Sequence, residues 1–346
     1  MPAAPDPRGA PAPARFLARL RAAWPAVFAT LLLGGCASHN THISFLDPQG
    51  PIALAERNHF ALVILMVAIV VVPVLVFTPF FAWRYRYGND RVPYTPRWDF
   101  NWPLEIFIWG VPFGIVTALG VWLAQDTSGL DPYRPLPSDK PPLDIQVVGY
   151  DWKWLFVYPD QGVASVGELA LPTGRPVKFE LTSDTVLQSF FIPALGSQIY
   201  AMPGMVTWLN LQADNAGRFR GLNTQYNGDA FEKERFTALA MTPADFDAWI
   251  QKVRATGIPL TQTAYHVLQQ RNSLDATREA LGSGGAPPGA IYFKEAPPKL
   301  FQDVVTSFHM SGHSSSMMNT SPRAQPPPAV KSAPTSLPAP GSLPKE

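Results

Sequence analysis

Two long uncharged runs dominate the pattern of apolar and polar positions. From Phe60 to Trp83 no residue is charged, and Val, Ile, Leu, Met and Phe fill most positions. A second such run goes from Ile106 to Ala124, with Trp102, Trp109 and Trp122 along it. About 20 consecutive apolar residues suffice to cross a bilayer, so the pattern predicts two transmembrane helices, at 58–83 and 102–124. Pro73 and Pro79 fall inside the first, where packing neighbours in a membrane tolerate them. The connecting segment, 84–101, carries Arg84, Arg86, Arg91 and Arg97 against Asp90 and Asp99. Arginine-rich loops stay in the cytoplasm. The chain on either side of the hairpin is therefore expected outside.

Upstream, residues 1–14 are a low-complexity Pro/Ala stretch, either disordered or ahead of the true start. Arg15, Arg19 and Arg21 precede an apolar run, Ala22 to Leu33, which ends at Gly34-Gly35-Cys36. Positive charge, apolar run and small residues describe a secretory signal, assigned to 1–35. The ending is similar to the bacterial lipobox, which makes Cys36 the expected site of lipid attachment. Acyl chains there would pin the periplasmic N-terminal segment, 36–57, to the outer face of the membrane. His59, at the membrane boundary, reads as a polar cap to the first span.

Downstream of a turn-rich linker at 125–142, the pattern changes to period two. In 145–158, Trp152, Trp154, Phe156 and Tyr158 fall on one face, as in a half-buried strand. Further strands are predicted at Val177–Thr182, Val206–Gln212, Arg218–Leu222 and Phe236–Met241, separated by Gly, Pro, Asn and Asp. Short strands at this spacing predict an all-β sandwich over 143–242. Thr242-Pro243 with Asp245 then signals a helix to about Ala255, and a second helical stretch is predicted over Thr261–Leu281. The helical, aromatic-rich extension covers 243–310, and the Ser/Pro/Ala-rich remainder, 311–346, is expected to be disordered.

Composition narrows the function. A net charge of +1 with 15% charged residues gives no reason to expect a nucleic-acid partner. A single cysteine rules out an internal disulfide. His309, Met310, His313, Met317 and Met318 gather near the end, but their spacing defines no closed metal geometry. No Ser/His/Asp group, phosphate-binding glycine loop or metalloprotease helix is visible.

The segments 183–205 and 221–234 carry the most specific signal. The second keeps the frame G-x-C-x-E-x-C-G-x-x-H-x-x-M with its metal-binding residues replaced, and Gly221, Gly228, Pro193 and Pro203-Gly204 keep the spacing. This frame resembles subunit II of the haem-copper respiratory oxidases. In that family two cysteines, two histidines and a methionine hold a dinuclear copper centre. Carried over by position, the first histidine is Gln188 and the cysteines are Asn223 and Asn227. The second histidine is Phe231, the methionine is Glu234, and the glutamate between the cysteines is Gln225. Such a centre needs soft thiolate, imidazole and thioether ligands, which these residues do not supply, and Cys36 alone cannot form a two-thiolate bridge.

Gln188 to Pro193 and Leu195 to Met202 are similar to the version in bo-type ubiquinol oxidases, which lacks this copper. The segment 292–310 resembles that version's C-terminal motif, expected on the sandwich or a neighbouring subunit. The resemblance implies a two-helix transmembrane hairpin, a cupredoxin-like all-β sandwich and a C-terminal helical appendage. It implies a subunit of a proton-translocating oxidase of ubiquinol in a bacterial inner membrane, with the lobe periplasmic. Haems and copper are expected in subunit I and no cofactor or catalytic residue in this chain. The expected partners are subunit I, the small subunits, membrane lipid and, through the complex, ubiquinol. The aromatic run Trp152–Tyr158 is assigned to packing. Asn223, Gln225 and Asn227 are expected to hydrogen-bond one another and hold the loop closed. Two other classes stay open: a cytochrome c oxidase subunit that relays electrons, and a stand-alone membrane-anchored binding protein.

Overall fold

The computed structural model describes residues 46–87, 89, 97–127 and 129–308. Cys36 with its signal segment, Asp90, Arg91, the His309–Met318 cluster and the tail 311–346 lie outside them.

Helices α1 (Pro51–Arg84) and α2 (Trp102–Thr127) form the hairpin, apolar on all faces. Helix α1 starts at Pro51 rather than at 58, with proline in its first turn pre-setting the helical φ. Its 34 residues span about 50 Å, well beyond the ~30 Å hydrocarbon core. The surplus first turns dock on the sandwich: Gln49 N donates to Ala194 O at 2.8 Å and Ala53, fully buried, donates to Leu195 O at 3.2 Å. Pro73 and Pro79 leave α1 unbroken. Where the two helices meet below the sandwich, the His59 ring stacks on Trp122 at 4.7 Å and its Nε2 bonds Asp126 Oδ2. His59 thus joins the two helices, beyond its expected role as a cap.

Two sheets form the lobe. The larger is ordered β11 (Ile258–Pro259), β12 (Ile291–Glu295), β3 (Val163–Val166), β2 (Lys153–Tyr158), β1 (Leu143–Tyr150), β5 (Pro176–Ser183), β8 (Thr207–Gln212). The smaller is ordered β4 (Glu168–Pro172), β10 (Arg235–Met241), β9 (Gly217–Asn223), β6 (Gln188–Ile192), β7 (Gly196–Ala201). Strand β1 runs parallel to β5 and β10 parallel to β4; the other pairings of β1 and β10, with β2 and β9, are antiparallel. Between the sheets Trp154, Phe156, Phe179, Phe190 and Phe236 pack together, with Phe190 stacked on Phe236 at 5.1 Å. Burying each such ring contributes about 1.5–3 kcal/mol.

The extension is helical as expected and also adds two strands. It supplies β11 and β12 to the larger sheet, so the otherwise open edge of β3 is paired, Ile291 opposite Val166. Helices α3 (Pro243–Thr256), α4 (Gln262–Gln269), α5 (Leu274–Leu281) and α6 (300–308) accompany these strands. Thr242 caps α3 as predicted, accepting from Asp245 N at 3.2 Å. The single helix predicted over Thr261–Leu281 is two, because Ser273 starts a new cap at α5. Leu260, Leu268, Phe301 and Val304 form a second core with Leu155 and Val157, on the face of β2 turned away from the first. Strand β2 is therefore buried on both faces rather than half-buried. Trp152 is not in the strand at all: it sits in the β1–β2 turn at φ 98°, a left-handed conformation costly for a non-glycine residue.

Candidate functional site

Four segments converge where the metal frame was read: the start of β6, the end of β9, the loop from Thr224 to Glu234, and the β1–β2 turn. Gln188 opens β6 fully buried, and its Nε2 donates to Tyr150 O at 3.0 Å. Its Oε1 has no protein partner and occupies space that a Cβ on Gly149 would take, 2.0 Å away. Asn223 ends β9, also buried. Its Oδ1 accepts from Ser189 N and Gln225 N, both at 2.9 Å, closing the mouth of the loop onto β6. Its Nδ2 donates to Glu234 Oε2 at 2.9 Å, and Asn227 Nδ2 donates to the same oxygen at 2.6 Å.

The three amides therefore do not bond one another. Asn223 and Asn227 both turn to Glu234, and Gln225 contributes its backbone N–H. The organising group is the carboxylate at the methionine position, fully buried at the end of a 3-10 turn, Phe231–Lys233. Burial pushes Glu234 up to about 7, with the negative Asp151 adding to it. The two amide donors and Lys153 act in the opposite sense. Its Oε1, like Asn227 Oδ1, is buried with no protein donor.

Lys153, Asp151 and Arg271 complete the surroundings. Lys153 is buried, and its Nζ donates to Asp151 O, Gln270 O and Asn272 Oδ1 at 2.9 Å and to Asn272 O at 3.0 Å. Burial lowers it to about 8, against the pull of Asp151 and Glu234. Arg271, from the α4–α5 break, lies 5.1 Å over the Trp152 ring with its Nε 3.5 Å from Asp151 Oδ2. Gly228, at φ 118°, lets this pair close in: a Cβ there would meet Arg271 at 2.7 Å and Trp152 at 3.4 Å. Only glycine suits both the backbone and the space. Trp152 is left 8% exposed, with the extension over it. Lys153 was not read as a site residue. Its one signal is a cation inside the aromatic run WKWLFVY, where period-two reading places it on the polar face.

The donor set does not fit copper. Gln188, Asn227 and Glu234 offer only oxygen or amide nitrogen, and Phe231 packs edge-on against Tyr226 at 5.7 Å. The two histidines among the described residues, His59 and His266, are elsewhere, and those residues contain no group of three or more His, Cys, Asp or Glu.

The family described as cytochrome c oxidase subunit II, periplasmic domain, matches residues 163–231. The chain is 40% identical over 289 residues to cytochrome bo(3) ubiquinol oxidase subunit 2 of Pseudomonas aeruginosa, covering 84% of this chain and 82% of that one. It is 37% identical over 281 residues to ubiquinol oxidase subunit 2 of Acetobacter aceti, covering 81% and 85%. Among solved structures, the periplasmic domain of subunit II of cytochrome oxidase from Bradyrhizobium japonicum aligns at a TM-score of 0.32. That alignment has 23% identity and covers 34% of this chain and 95% of that one. With two apolar helices, a cupredoxin-like sandwich and this identity to the two ubiquinol oxidase subunits over more than four fifths of both chains, the chain belongs to the ubiquinol oxidase subunit 2 family.

Proposed function

We propose that the chain is the non-redox subunit II of a proton-translocating terminal oxidase that oxidises ubiquinol and reduces oxygen to water. One observation carries the reading: the positions that would bind a dinuclear copper hold two asparagines locked onto a buried glutamate. A lobe so built cannot pass electrons from a periplasmic donor. An electron source dissolved in the membrane needs no such relay, which suits a quinol and not a soluble cytochrome. Haems and copper then belong to subunit I. This chain's work is to pack its hairpin on that subunit and cover its periplasmic face. Apolar side chains all round α1 and α2 support this, since neither helix buries them within the chain. Lipid attachment at Cys36 and an inner-membrane location belong to the same reading.

The test uses the purified complex. Ubiquinol should support oxygen uptake, and reduced cytochrome c should not. The full-length chain alone, offered copper, should take up none stoichiometrically and show no thiolate-to-copper charge-transfer absorption. Stoichiometric copper would favour a cytochrome c oxidase subunit. Recovery of the tagged chain from membranes without any haem protein would favour a stand-alone binding protein.

A further inference from the structure

The outer face of β9 and β10 carries a feature that neither the oxidase reading nor the emptied metal frame uses. Phe219 and Phe236 turn inward to the core, so alternation turns Arg218, Arg220 and Arg235 outward on one face. Antiparallel register sets Arg220 opposite Thr237 and Arg235 opposite Leu222, which puts the two arginines on neighbouring rungs. A groove of about 570 Å³ runs over them, with Lys233 and Glu232 at one end and Leu274, Asp275 and Pro288 as the far wall. Four cations face two carboxylates there. None of the three arginine side chains hydrogen-bonds or ion-pairs with a described residue.

Packing like charges together without counter-ions costs energy, and here the cost is visible: burial and the neighbouring Arg235 both lower Arg220. A purely solvated surface would spread the guanidinium groups apart. A concave groove that holds them together suits a multiply charged oxyanion, because a guanidinium fork matches phosphate oxygens in bidentate fashion. The surplus of two positive charges is enough to balance a free phosphate, about −1.5 to −2 near neutral pH, and more than enough for a singly charged phosphodiester headgroup.

We propose that this groove binds a phosphate-bearing anion, whether an anionic lipid headgroup or a free phosphate. The experiment uses the complete oxidase complex containing this chain, purified in neutral detergent. One arm titrates inorganic phosphate by equilibrium dialysis at constant chloride. The other compares phosphatidylglycerol retained after reconstitution into discs with and without that lipid. Saturable binding in either arm, weakened at least about tenfold by Arg220→Gln with Arg235→Gln, supports the proposal and names the source. Lys294→Gln, which lies outside the groove, should leave binding unchanged. If the double variant does not fold, Arg218→Gln, at an exposed position, should still weaken binding at least about threefold. The proposal is overturned by binding that neither variant changes or by the absence of both phosphate and lipid. It is equally overturned if the arginine variants shed a neighbouring subunit and the parent complex binds neither anion.

Discussion

Glu168, on a strand of the smaller sheet, and Glu234, just ahead of one, are both buried carboxylates, and their surroundings differ. Glu168, on β4, accepts through Oε1 from Tyr292 of β12 and, at 3.2 Å, from Trp249 of α3. Trp249 also donates to the Tyr292 hydroxyl at 3.0 Å, so the three groups close on themselves. Both donors come from the extension, and the cluster fastens it to the sandwich. Glu234 likewise takes both its donors, two amides, on one oxygen, but its other oxygen is buried with no protein donor. One carboxylate sits in surroundings built around it. The other stands in a loop that gives donors to one of its oxygens only. A buried carboxylate oxygen without a donor favours the neutral acid, which is the direction in which burial pushes Glu234.

The largest effect expected from disturbing this contrast falls on Lys153, which links the Glu234 end to the extension. Lys153→Ala strands the carbonyls of Asp151, Gln270 and Asn272 and leaves Asp151 and Glu234 without their buried cation. The expected loss is about 3–5 kcal/mol, the usual cost of breaking a buried charged network from one side. Thermal unfolding of the full-length chain in detergent measures it, and limited proteolysis should show cleavage within 257–308 at lower temperature. An unchanged midpoint would mean that the extension is held by β12 and α3 alone. Tyr292→Phe comes next, at about 1–3 kcal/mol, since it removes a donor from Glu168 and an acceptor from Trp249.

A smaller, pH-dependent effect belongs to Glu234. The folded state holds Glu234 near 7, above its ordinary 4.5, so between these values the folded chain binds more protons than the unfolded one. Stability contributed by this group is therefore greatest below about pH 4.5, falls as pH rises through the window and levels off above about 7. Glu234→Gln can still accept from both asparagines and has no charge to lose. It should flatten that part of the profile and, above pH 7, match or exceed the parent by on the order of 1–3 kcal/mol. A variant whose profile keeps the parent's slope from pH 5 to 7 would assign the titration to another group. Lys153 acts in the opposite sense at higher pH: its folded value is lowered to about 8 from 10.5, so its contribution to stability rises between these values.

The two halves of the chain were unequally legible. The hairpin could be read directly, because a run with no charged residue from Phe60 to Trp83 has one physical solution, burial in an apolar solvent. Its start at Pro51 could not, since that depends on Ala53 fitting against Leu195, about 140 positions away. Strands β5, β8, β9 and β10 showed as alternation. Strands β11 and β12 lie among glycine and proline; β12 gains its pairing from β3 and β11 from β12. At the site, the resemblance to the oxidase subunit II family marked Gln188, Asn223, Asn227 and Glu234. What spacing could not supply was the partner of each amide. Asparagine beside asparagine suggests mutual bonding, yet a buried carboxylate draws both donors more strongly, since charge-assisted hydrogen bonds are about twice as strong as neutral ones. Lys153 stayed hidden because alternation assigns it to solvent, and only the returning extension turns that face into a core.

The smallest effect tests the frame itself. Asn223, Gln225 and Asn227 look equivalent in the sequence, and the structure separates them. Asn223→Ala loses acceptors for Ser189 N and Gln225 N and a donor to Glu234, three hydrogen bonds around buried groups. That should cost about 1–3 kcal/mol. Gln225→Ala keeps its N–H on Asn223, so its thermal midpoint should lie within about 0.5 kcal/mol of the parent, as for an ordinary surface change. The ratio of the two is the informative quantity. If Gln225→Ala cost as much as Asn223→Ala, the loop would be closed by the amide side chains acting together and Glu234 would be incidental. If only Asn223→Ala is costly, and its cost changes when Glu234→Gln is added, the carboxylate is the group on which this loop is closed.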